Sequence, residues 1–174
     1  MSNYDKYYKK ENYFGKPYTE LLDFFASQDK GSLVDLGAGQ GRNSIFLANQ
    51  GYNMTAIDIS KVGIQQIMDE IPKINGLVAD IHTFDISKFD YILTDSMFHF
   101  YKNDTQKESM LVTRILREMK PKAIFVNCMV KSKKAEKCFH EAVIKAGISS
   151  TTIYENYINT GFNAKYHMIA IKKD

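Results

Sequence analysis

A glycine-rich segment, VDLGAGQGRNS at residues 34–44, constrains this chain more than any other stretch. An apolar run that ends in an acid and continues into glycines at alternate positions is typical of a strand that turns sharply into a helix. Gly37, Gly39 and Gly41 allow the backbone to take positive φ and to approach a ligand closely. The segment therefore predicts a strand–turn–helix unit whose turn binds a nucleotide-like group.

Strand and helix patterns alternate along the rest of the chain. The predicted strands span residues 32–36, 54–58, 74–79, 89–94, 123–130, 151–154 and 166–171. The first five are separated by helical patterns and should be parallel, whereas only a short turn separates the last two, which should be antiparallel neighbours. We expect an α/β fold: a three-layer α/β/α sandwich, Rossmann-like, with a mostly parallel seven-stranded sheet and an antiparallel C-terminal strand pair.

Thr19 is expected to cap a first helix, and two later helix starts also carry capping signals. Ser60 is expected to cap the helix that follows the second strand. Thr105 and Glu108 have the spacing of a capping box, in which each side chain would satisfy a backbone N–H of the helix that follows the fourth strand.

Length and composition indicate one globular domain. A chain of 174 residues, 44% of them hydrophobic, can enclose a single core. We assign residues 19–174 to this domain and residues 1–18 to an aromatic arm. We predict that Tyr13, Phe14 and Tyr18 of the arm close the active site as a lid. The alternative is an arm that only covers apolar surface.

Net charge, cysteine spacing and hydropathy limit the possible partners and the location of the protein. A net charge of +3 is too small to indicate a nucleic-acid partner. The basic residues between 102 and 145 are expected to lie on solvated faces of helices. Cys128 and Cys138 have no disulfide or zinc-site spacing. No apolar stretch approaches the roughly 18 residues of a membrane span. The chain begins without the apolar core of a signal peptide, so we expect a cytoplasmic protein with no membrane partner.

Three acids lie at the ends of three successive predicted strands. Asp35 would repel a pyrophosphate but attract an ammonium or sulfonium group, so it favours a cationic cofactor. Asp58 suits two vicinal ribose hydroxyls, and Asp80 can accept from an exocyclic amine such as that of adenine. Each acid alone could be a helix cap or a solvated loop end. Parallel strands place their carboxyl ends at one edge, so all three acids should face one crevice.

These motifs resemble those of the class I S-adenosylmethionine-dependent methyltransferases. VDLGAGQG is similar to their first motif, AIDIS to the ribose-binding motif, VADIHTF to the adenine-side motif and FDYILTDSMFHF to the fourth motif. Within that superfamily, residues 37–60 are similar to the tellurite-resistance-type and related small-molecule methyltransferases. The resemblance implies S-adenosyl-L-methionine as cofactor, S-adenosyl-L-homocysteine as its product and a small-molecule acceptor.

The resemblance also implies roles for single residues. Gly37 and Gly39 would contact the methionine part, Asp58 the ribose, and Asp80 with Ile81 the adenine. Asp35 would order the loop and the amino end of the cofactor. The full candidate cofactor set is Asp35, Gly37, Ala38, Gly39, Asp58, Ile59, Asp80, Ile81 and Thr94. Ala38 stands where many members have cysteine, a small-for-small change.

The loop after the fourth strand is the candidate acceptor side. Methyl transfer from a sulfonium is an in-line displacement that requires neither a metal nor a covalent intermediate. A base helps only where the acceptor loses a proton, and His99 is the candidate base because its ordinary pKa suits proton acceptance at neutral pH. Asp95 and Tyr101 complete the candidate catalytic set. The alternative for His99 is a hydrogen-bonded packing residue, and the neighbouring Phe and Met side chains could line an acceptor pocket or the core.

Other functions remain as alternatives. Intact glycines and acids also fit a cofactor-binding regulatory module without turnover. An RNA or protein acceptor is a further alternative, although TDSM at residues 94–97 replaces the Asn/Asp-Pro-Pro-Tyr sequence of base amino-group methyltransferases and disfavours nucleic-acid methylation. A nicotinamide-dependent oxidoreductase is disfavoured because Arg42 stands where the dinucleotide pattern requires its third glycine. The sequence leaves the acceptor and the oligomeric state open.

Overall fold

The structure, a computed structural model, describes residues 5–10, 13, 15–160 and 164–174. Within these ranges it contains five helices and seven strands. The helices are α1 Thr19–Ala26, α2 Arg42–Asn49, α3 Lys61–Glu70, α4 Thr105–Glu118 and α5 Lys133–Ala146. The strands are β1 Ser32–Leu36, β2 Asn53–Asp58, β3 Asn75–Val78, β4 Tyr91–Asp95, β5 Ile124–Val130, β6 Ser150–Asn159 and β7 Lys165–Lys173. The chain divides into two compact units, Met1–Phe84 and Asp85–Asp174.

The first unit contains three parallel strands in the order β3-β2-β1. Helices α2 and α3 pack on this part of the sheet and bury Leu47 and Ile67 against it. The register pairs Leu36 with Ile57 and Asp58 with Val78. Because all three strands run in the same direction, the loops that follow them leave from one edge of the sheet.

The second unit contains the strands β4-β5-β7-β6 in that order. Strands β4 and β5 are parallel, whereas β7 runs antiparallel to both β5 and β6. Helices α4 and α5 pack against each other, and Phe125 of β5 lies 6.1 Å from Phe139 of α5 between ring centroids. The near-continuous burial of β5 explains its almost uninterrupted apolar sequence.

The predicted fold class is confirmed: the sheet is seven-stranded and mostly parallel, is flanked by helices, and ends in an antiparallel C-terminal pair. The last two strands are longer than expected. Strand β6 covers Ser150–Asn159 instead of 151–154, and β7 covers Lys165–Lys173 instead of 166–171. Most β6 side chains are exposed, so no apolar alternation marks its full length in the sequence.

One helix cap is confirmed and two were wrong. Thr19 is the first residue of α1, whose N-cap is Tyr18. The Ser60 side chain accepts a hydrogen bond from the Gly63 N–H at 3.2 Å at the start of α3. Helix α4 has Asp104 at its N-cap and no side-chain cap, so Thr105 and Glu108 do not form a capping box. The Glu108 carboxylate instead accepts from backbone N–H groups of the preceding loop.

Helices α4 and α5 are the longest, with 14 residues each. Within the described ranges, no helix combines the length and the apolarity that a membrane crossing requires.

Candidate active site

The glycine loop between β1 and α2 takes left-handed backbone geometry three times. Gly37, Gly39 and Gly41 have φ values of 82°, 56° and 85°, which explains why glycine recurs at alternate positions. The N–H groups of Gly37 and Ala38 donate to the Ile57 carbonyl at 2.8 and 2.9 Å. The loop is therefore fastened to the neighbouring strand β2.

Asp35 is buried inside this loop unit. Its carboxylate accepts a 2.7 Å hydrogen bond from the Ser44 hydroxyl in the first turns of α2. The contact ties β1 to the helix across the glycine turn. It supports the predicted loop-ordering role of Asp35, while a contact with the amino end of a cofactor stays a prediction.

Asp58 organises the edge at the end of β2. One carboxylate oxygen accepts from the Gly39 N–H at 2.9 Å and the other from the Ser60 N–H at 2.7 Å. Burial raises the pKa of Asp58 above its ordinary value of 3.8, and the nearby Asp5 carboxylate adds to the rise. Hydrogen bonds from the backbone of Ser60, Gly39 and Ile59 act in the opposite direction. Backbone donors thus use at least two of the carboxylate's roughly four acceptor positions.

The remaining predicted residues of the first unit follow at the same edge. The Ala79 N–H donates to the Asp58 carbonyl at 3.1 Å, which keeps the chain after β3 beside β2. Asp80 is exposed and accepts from the His82 N–H at 2.9 Å, and Ile81 is buried. Ile59 is 57% exposed and lies next to the buried Asp58.

Two residues at this edge were not predicted from the sequence. A β-carbon at Gly63, in the first turn of α3, would lie 2.2 Å from the Gly39 carbonyl oxygen, so the helix packs directly on the loop backbone. A β-carbon at Gly39 would lie 3.0 Å from the hydroxyl oxygen of Tyr8, which is buried over the loop. A glycine in a helical segment was the available signal for Gly63, whereas nothing local marks Tyr8 among the aromatic residues of the arm.

The arm is held at the glycine loop by polar contacts. The Gln66 side-chain amide of α3 donates to the Tyr8 carbonyl at 2.9 Å, and the Gln40 amide donates to the Lys10 carbonyl at 3.0 Å. The Ser60 hydroxyl donates to Asp5 at 2.5 Å. Strand-end, loop and helix residues therefore all contact residues 5–10.

The three arm residues named from the sequence lie in different settings. The Tyr13 N–H donates to the Gln40 side chain at 3.0 Å, and the Tyr13 side chain is exposed. Tyr18 is buried, with the Arg42 guanidinium 4.8 Å above its ring. Phe14 lies outside the described residues.

Thr94 and Asp95 end β4 in the second unit. Thr94 is fully buried, and its hydroxyl donates to the Asn127 side-chain oxygen of β5 at 3.0 Å. Asp95 is also buried and accepts from the Ser96 hydroxyl at 3.1 Å. The Asn127 side-chain nitrogen is buried without a hydrogen-bond partner among the described residues. This polar residue in an apolar strand was not singled out from the sequence.

The loop that carries His99 is held in strained geometry. Ser96 and Phe100 have φ values of 60° and 51°, a region that bulky side chains rarely occupy. The Glu108 carboxylate accepts from the N–H groups of His99 and Phe100 at 2.9 and 2.6 Å. Such outliers persist where the surrounding contacts over-determine them, and they cluster at functional sites.

The side chains of this loop divide into two groups. Phe98 and Phe100 are buried and stack at 6.0 Å between centroids, so they belong to the core. His99 is half-buried and stacks on Tyr101 at 5.3 Å, and Tyr101 is 64% exposed. His99 and Tyr101 therefore lie side by side. Phe98 and Phe100 pack in the core and do not line an acceptor pocket.

Within the first unit, the structure brings Gly37, Ala38, Gly39, Asp58, Asp80 and their neighbours to one edge of parallel strands. The predicted residues Thr94, Asp95, His99 and Tyr101 belong to the second unit, at the end of β4 and in its loop. The roles of all these residues stay predictions.

Sequence comparison identifies relatives of the chain. The model of a family described as tellurite resistance protein TehB matches residues 1–138. A probable S-adenosyl-L-methionine-dependent methyltransferase TehB of Haemophilus influenzae is 30% identical over 125 residues, which make up 66% of this chain and 42% of that protein. The chain thus spans less than half the length of this relative. The predicted resemblance to tellurite-resistance-type methyltransferases is confirmed.

Solved structures share the fold. The N-methyltransferase NodS from Bradyrhizobium japonicum, in complex with S-adenosyl-L-homocysteine, has a TM-score of 0.75 and 12% identity over 98% of this chain and 96% of that chain. The 1,6-didemethyltoxoflavin-N1-methyltransferase of Burkholderia thailandensis, with bound 1,6-didemethyltoxoflavin and S-adenosylhomocysteine, has a TM-score of 0.75 and 14% identity over 97% of this chain and 84% of that chain. At such identities the likeness concerns the Rossmann-like fold.

Proposed function

The chain belongs to the TehB family of tellurite resistance proteins, and from this premise we propose that it is an enzyme that transfers a methyl group from S-adenosyl-L-methionine to a small-molecule acceptor. The relatives and structural neighbours described above are named as methyltransferases. S-adenosylmethionine would supply a methyl group already activated by the sulfonium. The chain itself has to bind this cofactor, align the acceptor and exclude water.

The observation that carries the proposal is the carboxylate of Asp58 at the glycine loop. Its backbone hydrogen bonds orient the carboxylate, which keeps acceptor capacity for further donors. Vicinal ribose hydroxyls supply two donors at the spacing of a carboxylate. Exposed Ile59 next to it offers an apolar surface for the adenine, and Asp80 offers an acceptor for its exocyclic amine.

The glycine loop suits the methionine part of the cofactor. Its glycines leave the turn without side chains at three positions and adopt the positive φ angles that the turn requires, and the Asp35–Ser44 contact holds the turn in shape before any ligand arrives. Preorganisation of this kind lowers the entropic cost of binding. The buried Asp35 carboxylate also makes the local potential more favourable for the cationic amino end and for the sulfonium.

The arm acts as a lid in this proposal, with Tyr8 as its central side chain. Tyr8 is buried over Gly39, while Gln40 and Gln66 hold the arm backbone from the loop and from α3. A lid at this position would keep water from the cofactor. Tyr8 thus joins Tyr13, Phe14 and Tyr18, the lid residues expected from the sequence.

His99 is the residue we assign to proton removal from acceptors that must lose a proton. Its backbone is fixed by Glu108, and its half-buried ring stacks on Tyr101. Replacement by glutamine should lower turnover and leave the affinity for S-adenosylhomocysteine unchanged. Unchanged turnover in His99→Gln would assign His99 to packing alone.

The deciding experiment is calorimetric titration with S-adenosylmethionine and S-adenosylhomocysteine. We expect micromolar binding by the wild type, loss of binding in Asp58→Ala, and wild-type binding in the control Asp69→Ala, which removes an exposed acid of α3. Absence of binding in the wild type would overturn the proposed cofactor.

Turnover is then measured as the release of S-adenosylhomocysteine. Tellurite is tested as an acceptor because of the family's description, and small amines are tested because two structural neighbours are named N-methyltransferases. RNA and protein acceptors are tested in parallel. Binding without turnover of any acceptor would indicate a cofactor-binding regulatory module, and turnover only with RNA or protein would indicate a macromolecular acceptor.

A further inference from the structure

A cluster of two histidines and one glutamate lies in the second unit, apart from the residues of the proposed reaction. His140 comes from α5, Glu155 from β6 and His167 from β7. One carboxylate oxygen of Glu155 lies 2.8 Å from Nε2 of His167 and 3.2 Å from Nε2 of His140. The three potential ligand atoms all lie within 4.8 Å of one another.

His167 is the buried residue of the cluster. The His167 side chain is only 3% exposed, and its Nδ1 has no hydrogen-bond partner among the described residues. A metal ion would bind the other nitrogen, Nε2, which lies 2.8 Å from the Glu155 carboxylate, and would leave Nδ1 unpaired. The site is therefore indicated by the three converging ligand atoms and not by Nδ1.

The donor set indicates which ions would fit. Two imidazole nitrogens and one carboxylate oxygen match the ligands of zinc and its neighbours in the first transition series, whereas magnesium and calcium prefer oxygen ligands alone. At a tetrahedral zinc with bonds of about 2.0 to 2.1 Å, ligand atoms lie about 3.3 to 3.4 Å apart. The two Glu155 distances are close to this spacing, so small side-chain rotations would admit the ion.

Access and local anchoring also favour a metal site. The side chains of His140 and Glu155 are 43% and 41% exposed, so an ion can enter from solvent and keep water at a fourth position. His167 lies on the strand that pairs with both β5 and β6, which gives the site one rigid, buried ligand. Three ligands on three elements would join α5 to the antiparallel pair.

We propose that His140, Glu155 and His167 form a binding site for a single transition-metal ion of the zinc class. The site is independent of the proposed methyl transfer, because its ligands include no residue of the candidate cofactor or catalytic sets. Its expected effect is on the stability of the C-terminal strand pair.

The test uses the full chain without a histidine tag, freed of metal with a chelator and titrated with zinc chloride by calorimetry. We expect one ion per chain and a higher melting temperature in the presence of zinc. Titration with cobalt(II) should produce visible absorption bands of a tetrahedral site, a readout that a hydrogen-bonded cluster does not give.

Glu155→Gln and His140→Gln change half-exposed side chains and should each lower zinc affinity at least tenfold. The control His82→Gln changes a histidine of the first unit and should bind zinc as the wild type does. Absence of stoichiometric binding, or equal affinity in Glu155→Gln and the wild type, would overturn the site and leave a purely hydrogen-bonded cluster. Weaker binding in His82→Gln alone would likewise overturn it and move the ion to the first unit.

Discussion

Asp58 couples the proposed cofactor binding to pH. Burial raises the pKa of Asp58 above 3.8, and protonation would turn one acceptor oxygen into a donor. The affinity for S-adenosylhomocysteine should therefore fall as the pH decreases, starting at a higher pH than for an ordinary aspartate. Calorimetry at decreasing pH, from about pH 8 to about pH 4, measures this slope. Asp58→Asn, which has no carboxyl to titrate, should show weak and nearly pH-independent binding; an equal slope in both proteins would contradict the assignment.

Ionisation of Asp58 should favour ligand binding, but it lowers the stability of the fold. Because its pKa is raised in the folded protein, the folded state binds this proton more tightly than the unfolded state does. Ionisation of Asp58 thus costs stability as the pH rises from about 3.8 through the raised pKa. The cost is that of burying a charged carboxylate at this edge of the sheet.

Gly63→Ala tests the contact between α3 and the glycine loop. Alanine in a helix normally stabilises relative to glycine by about 0.5 to 1 kcal/mol. Here its β-carbon would lie 2.2 Å from the Gly39 carbonyl oxygen, so we expect a loss of about 1 to 3 kcal/mol in the free energy of unfolding, measured with urea.

Gly76→Ala is the matched control for Gly63→Ala. A β-carbon at position 76 would lie 2.8 Å from Cγ of Met68 and 3.0 Å from Cγ2 of Ile64, so it meets side-chain atoms, whereas a β-carbon at position 63 meets backbone. The loss should therefore be smaller than at position 63. A stabilising Gly63→Ala would show that the loop moves freely away from the helix.

At the scale of elements, the arm has to be tested as a lid. Tyr8→Ala should lower the affinity for S-adenosylhomocysteine about tenfold, in line with the loss of one buried aromatic side chain. Lys9→Ala is the control, because Lys9 also lies next to Tyr8 in the arm but is exposed. Deletion of residues 1–18 should have at least the effect of Tyr8→Ala.

Calorimetry of these arm variants has two outcomes against the lid. Unchanged affinity and rate after the deletion would leave the arm as a surface cover. Tighter binding would mean that Tyr8 occupies space that the cofactor needs.

The start of α4 controls the shape of the loop before it. Glu108→Ala would remove the acceptor of the His99 and Phe100 N–H groups, so hydrogen exchange of these two amides should accelerate. The free energy of unfolding should fall by about 1 to 3 kcal/mol, as expected for hydrogen bonds to a charged acceptor.

Glu118→Ala, on the same helix, removes only a surface ion pair with Arg114 and should change the unfolding free energy by less than about 1 kcal/mol. Equal amide exchange in Glu108→Ala and the wild type would contradict the role of Glu108.

At the scale of the whole molecule, ligand binding should appear as thermal stabilisation. At a concentration 100 times its dissociation constant, S-adenosylhomocysteine should add about 2.7 kcal/mol to the free energy of unfolding. For a chain of this size that corresponds to a melting temperature about 5 to 11 °C higher. Scanning calorimetry measures the shift, and Asp58→Ala should show none. A shift of equal size in Asp58→Ala would place the ligand elsewhere.

The sequence predicted features whose causes are local or periodic. The glycine loop and Asp58 follow from a strand end and from the spacing of the glycines, and alternation of elements gave the fold class. Tyr8 and Gly63 depend on contacts between segments that the sequence does not pair. The capping box failed because Glu108 has backbone partners in the loop before the helix. His140, Glu155 and His167 share no spacing motif, because three separate elements bring them together.

The contact between Gly63 and the Gly39 carbonyl also limits how sequences of this kind can diverge. Position 63 lies in a helix, where most residues would be tolerated, yet any side chain there collides with the loop backbone. A mutation at position 63 can persist only if the loop has already shifted, and a shifted loop changes the surroundings of Asp58 through Gly39. Positions 39, 58 and 63 should therefore evolve as one unit, and in a library of random variants the surviving substitutions at 63 should be those accompanied by a change in the loop.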